Sequence, residues 1–115
     1  MYQFSYADIP ADTIADARDR ERQLLSRSIE LLQDARDAGP RSRQAVEAAL
    51  FVHRIWTSFV GDLQAPENST PQDLRDHLIA VGSWLMAEAE ALRLGRSADI
   101  DGLIDASSTI RDGLN

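Results

Sequence analysis

Two apolar segments, each carrying a tryptophan, flank a turn bounded by prolines. One segment runs through Arg54-Ile55-Trp56 to Asp62-Leu63. Pro66 and Pro71 then bracket Glu67 to Thr70, and the second segment runs from Leu74-Arg75 to Ser83-Trp84. Proline lacks a backbone donor and clashes with the preceding helical turn, so one helix cannot run through both segments. The apolar residues on either side recur every three or four positions, the spacing of one helix face. So short a link makes the two helices antiparallel neighbours.

The same reading extends over the chain. The first helix is expected at Thr13–Ala38, capped by Asp12 or Thr13 and ended by Gly39-Pro40. Its inner positions are Ile14, Ala17, Leu24, Ser28, Leu31 and Ala35, with Leu25, Ile29 and Leu32 alongside. The second is expected at Ser42–Leu63, with one stripe of Val46, Ala49, Leu50, His53, Trp56, Val60 and Leu63. Ala48, Phe51, Val52, Ile55 and Phe59 widen that stripe into an arc broad enough for several neighbours. Gly61 suggests fraying or close packing near its end. The third helix is expected from Pro71, with Thr70 as its cap, to Arg93 or Leu94, with Gly95 as terminator. Leu74, Leu78, Val81, Gly82, Leu85, Ala89 and Leu92 form its inner face, and a mid-helix Gly82 predicts a close crossing. The fourth is expected over 98–113, capped by Ser97, with Ile100, Leu103, Ile104, Ser107 and Ile110 facing inward. The fold class is all-α: a small four-helix bundle-like single domain with an N-terminal extended arm over 1–11.

Composition narrows the function. A formal net charge of −7 repels phosphate backbones, so direct nucleic-acid binding is not expected. Cysteine is absent, which removes disulfides, thiolate metal sites and cysteine nucleophiles. No apolar run is long enough to span a bilayer, and the N-terminus lacks the pattern of a secretion signal, so a cytoplasmic protein is expected. His53, between Ala49 and Trp56 on an apolar stripe, reads as a core histidine rather than a ligand. Asp73 and His77 stand one turn apart, but two ligands do not close a metal site. Glu88 and Glu90 point in different directions, unsuited to paired acid–base work. With no phosphate loop, nucleophile elbow or metalloprotease pair, the chain is expected not to be an enzyme and to need no cofactor or metal.

Binding another protein is then the favoured role. Tyr2, Phe4 and Tyr6 alternate at a chain end, where so many rings either fold back onto the bundle or serve as a docking segment. Trp56 and Trp84 belong either to the core or to a groove that accepts a partner helix. The candidate protein-binding residues are Tyr2, Phe4, Tyr6, Arg54, Trp56, Phe59 and Trp84, around a groove between the second and third helices. A dimer interface is the alternative cover for the surplus apolar surface, and the oligomeric state stays open.

Several of these residues carry a family resemblance. Met1-Tyr2-Gln3-Phe4-Ser5-Tyr6, the run Arg20-Glu21-Arg22, the proline-bounded turn, Ile79-Ala80-Val81-Gly82-Ser83-Trp84 and the ending Ile110-Arg111-Asp112-Gly113-Leu114 resemble the FlaF family of bacterial flagellar proteins. The chain departs from the family pattern at Thr70 and His53. The resemblance implies a role in flagellum biogenesis that couples flagellin synthesis to export. Its implied partners are flagellin, bound as by a chaperone, and the translational regulator FlbT. A regulatory adaptor acting through FlbT without chaperoning flagellin is the alternative it leaves open.

Overall fold

The computed structural model describes residues 11–96 and 99–114, with side chains from 16 onward. The proposed arm, with Tyr2, Phe4 and Tyr6, and the expected cap Ser97 lie outside the described residues. Among those described there are four helices and no strand: α1 Ala11–Ala38, α2 Arg43–Gln64, α3 Gln72–Arg93 and α4 Ile100–Gly113. The all-α expectation holds.

The helix ends show how the sequence sets the turns. Gly39 takes φ of 109° and its N–H donates to the Ala35 carbonyl, closing α1 with a left-handed residue that only glycine adopts cheaply. Ser42 then caps α2, its hydroxyl accepting from the Ala45 N–H at 3.1 Å. Gly95, at φ of 72°, closes α3 in a Schellman arrangement: its N–H donates to Leu92 O and that of Arg96 to Ala91 O.

Three expected starts are corrected. α1 begins at Ala11, which puts Asp12 and Thr13 inside the helix rather than at its cap. Pro71, not Thr70, is the N-cap of α3, and it supplies no side-chain bond. Thr70 is held in the preceding turn instead, its N–H donating to Asn68 Oδ1 at 2.9 Å. At α4 the cap is Asp99, whose carboxylate accepts from the Gly102 N–H at 3.0 Å.

The helices alternate in direction. Val60 and Trp56 of α2 face Gly82 of α3, and Thr57 faces Met86, a falling count against a rising one. Arg36, near the end of α1, pairs with Asp101 at the start of α4 at 3.1 Å, while Arg22 donates to the Leu114 carbonyl at 3.0 Å. α2 packs between α1 and α3, and α4 packs along α1 but meets α3 only lightly. The core is built from Leu25, Ile29, Leu32 and Ala35 of α1, Ala48, Val52, Ile55 and Trp56 of α2, Leu85 and Leu92 of α3, and Ile100 and Leu103 of α4.

The phase of α2 differs from the sequence expectation. Ala45, Ala48, Ala49, Val52, Ile55 and Trp56 are buried, whereas Val46, Leu50 and His53 are exposed. His53 is therefore not a core histidine. Gly61 is also exposed, with no side chain near it, so it marks no close packing.

Candidate functional site

The contact between α2 and α3 is closed on its inner side. Gly82 permits it: a Cβ there would stand 2.7 Å from Trp56 Cε3 and 2.8 Å from Val60 Cγ2. Trp56 is 2% exposed and packs edge-to-face with half-buried Phe59, ring centroids 5.4 Å apart. Trp56 thus fills the place where an open groove was expected, and its ring is unavailable to a partner. Arg54, two positions before it, is exposed.

Trp84 lies on a different surface. Gly82 and Met86 of α3 face α2, and Trp84, two residues from each, is turned roughly 200° around the helix from both. It is 41% exposed. The structure therefore brings Trp56 and Phe59 together but separates them from Trp84. It does not unite the candidate residues in one groove.

What the α2–α3 pair does offer is an outer seam. Val46, Leu50, His53 and Thr57 follow one another at helical spacing along the flank of α2 next to α3. The antiparallel register sets Leu94 level with Val46, and Met86 against Thr57, whose hydroxyl lies 3.4 Å from Met86 Sδ. Val46, Leu50 and Leu94 are 37%, 49% and 45% exposed, all toward the Gly95 end of the pair. Sequence reasoning placed Val46 and Leu50 inside and treated Leu94 only as a helix end. The usable signal was polarity: this stripe contains His53 and Thr57, while Ala45, Ala48, Ala49 and Val52 form a stripe with no polar member.

The chemistry elsewhere is sparse. An open polar crevice of about 550 Å³ between α1 and α4 is lined by Arg22, Arg27 and Arg111 with Asp19, Glu30 and Asp112. Each arginine already pairs with a carboxylate of that wall, Arg22 with Asp19, Arg27 with Glu30 and Arg111 with Asp112, so the crevice is not built to capture an anion. Burial raises the pKa of Glu21; Arg18 opposes that shift and Asp62 of α2 adds to it. Among the described residues no cluster of three or more His, Asp or Glu is placed to hold a metal, and no helix is long and apolar enough to cross a membrane.

The geometry defines an all-α four-helix domain with Trp56 enclosed and Val46, Leu50, Trp84 and Leu94 left exposed. The family comparison gives the particular kind. The family model described as Flagellar protein FlaF matches residues 2–114, so the chain belongs to the FlaF family and is a flagellar protein. No curated protein and no solved structure matches it significantly.

Proposed function

We propose that this protein is a cytoplasmic flagellin chaperone and secretion factor, coupling flagellin synthesis to assembly, and that it holds an amphipathic flagellin segment along the outer α2–α3 seam. The observation that carries the reading is that Val46 and Leu50, one turn apart on the same flank of α2, are each left at least a third exposed, with Leu94 exposed at the same level of α3. A helix laid in a shallow groove is anchored by apolar residues at three- and four-residue spacing, which this seam matches. Membership of a flagellar family supports flagellin as the source of that helix. The net charge of −7 disfavours the alternative of direct action on flagellin mRNA.

The test is a calorimetric titration with purified flagellin. Micromolar or tighter binding is expected, with Leu50→Asp weakening it by roughly tenfold or more because about 1.5–3 kcal/mol of apolar burial is lost. The melting temperature should not change, since Leu50 is outside the core. Absence of flagellin binding by the unaltered protein, together with binding of FlbT, would replace this reading with the regulatory adaptor.

A further inference from the structure

The flank of α2 that carries Val46 and Leu50 is framed by arginine. Arg43 precedes Val46 by three residues and Arg54 follows Leu50 by four, so the four exposed side chains share one face of the helix. Across the seam Arg93 ends α3 beside Leu94, and Arg96 follows where the chain leaves the helix. Two carboxylates stand among these four cations: Glu47 pairs with Arg43 at 3.5 Å, and Glu90 pairs with Arg93. Arg54 and Arg96 are exposed, and neither guanidinium has a hydrogen bond or ion pair among the described residues.

Glu90 registers the excess. Its carboxyl is held below its ordinary pKa, first by the hydrogen bond from Arg93; desolvation opposes the shift, and the charges of Arg93, His53 and Arg96 add to it. His53 of α2 and Arg96 beyond α3 thus act on one carboxylate, which puts Arg96 on the same outer seam. This local balance is the reverse of the whole chain. The formal net charge is −7, yet the Gly95 half of the seam holds four arginines against two glutamates. Charge around an apolar contact draws a partner of opposite sign and repels one of its own. A helix laid over Val46 and Leu50 carries its flanking residues past Arg54 and Arg96. Acidic flanks would meet two forked guanidinium groups without partners, a geometry suited to carboxylates. Basic flanks would meet repulsion.

We infer that the segment held on the outer α2–α3 seam is an acidic amphipathic helix, with carboxylates beside its apolar stripe that pair with Arg54 and Arg96. The inference rests on the reading that a flagellin helix docks there, and it specifies the charge that helix carries.

The test titrates the full chain with flagellin and with two designed helical peptides. Both peptides carry leucines at three- and four-residue spacing, one flanked by glutamates and the other by lysines. The acidic peptide should bind about tenfold more tightly at low ionic strength, and its advantage should shrink as salt is added. In Arg54→Glu/Arg96→Glu, the acidic peptide and flagellin should each bind about tenfold more weakly, and Arg54→Gln/Arg96→Gln should lose less. The melting temperature should hold in both variants, since both side chains are exposed. Equal affinity for the two peptides, flagellin binding unaltered by the charge reversal, or equally tight binding of an acidic peptide with its leucines scrambled would overturn the inference. Binding of the acidic peptide without any binding of flagellin would uphold the charge preference and overturn flagellin as the source of the helix.

Discussion

Gly82 of α3 lies against the six-membered ring of Trp56 on α2, with Trp56 Cε3 2.7 Å and Cζ3 3.1 Å from where a Cβ would be. The neighbours on that side are a buried indole and Val60, neither of them the far end of a flexible chain. This pair sets how closely the two central helices approach.

Gly82→Ala accordingly opposes two effects. Alanine improves helix propensity by about 1 kcal/mol, while forcing a methyl into a filled contact costs about 1–3 kcal/mol. Overpacking is expected to prevail, with a net loss of roughly 1 kcal/mol in urea denaturation. An unchanged or raised midpoint would mean that the helices part without cost.

The two tryptophans should behave differently. Trp56→Ala removes an enclosed ring and should destabilise the protein by about 3–5 kcal/mol. Trp84→Ala should change stability by no more than about 1 kcal/mol, because the ring is substantially exposed. Thermal denaturation of both variants checks this, and equal losses would contradict the placement of Trp84.

Ser28 of α1 and Ser107 of α4 are fully buried, and neither hydroxyl has a hydrogen-bond partner among the described residues. The register set by Arg36–Asp101 and Arg22–Leu114 puts them at the same level of the α1–α4 contact. A buried hydroxyl without a partner costs about 1–3 kcal/mol of desolvation, so Ser28→Ala and Ser107→Ala should each raise stability, by about 1 kcal/mol. A drop in the denaturation midpoint for either would show that its hydroxyl is satisfied in solution.

Glu21 gives a pH dependence. Its carboxyl is raised by burial, so the folded chain keeps this proton to higher pH than the unfolded chain does. Stability from this group is greatest below the unfolded-state pKa and falls as pH rises through the interval up to the folded value, leaving a constant deficit at neutral pH. Glu21→Gln should therefore raise the melting temperature at pH 7, and the difference should close as pH falls through the carboxylate range. A gap that persists in acid would point to packing instead of charge.

Much of the fold was legible because backbone chemistry dictates it. Gly39, Gly95 and the Pro66–Pro71 turn end helices whatever surrounds them, and Gly82 announced a close crossing that Trp56 fills. The rotation of α2 was not legible. Its apolar arc is so wide that Val46 and Leu50 fit an inward stripe as well as Ala45 and Val52 do. Only packing against two neighbours, which favours the alanines, selects the face. The caps of α3 and α4 each had competing candidates one or two residues apart, and geometry chose between them. The expected groove failed for a related reason. Two tryptophans on adjoining helices look like one site in sequence, yet Trp84 is carried around α3 to another side.

The bond from Arg22 to the Leu114 carbonyl also has a practical consequence. It fixes the end of α4 against the middle of α1, on the half of the bundle away from the Gly39–Ser42 bend. A purification handle attached after α4 would therefore crowd that half, whereas a probe inserted in the Gly39–Ser42 bend would sit at the opposite pole and leave it clear.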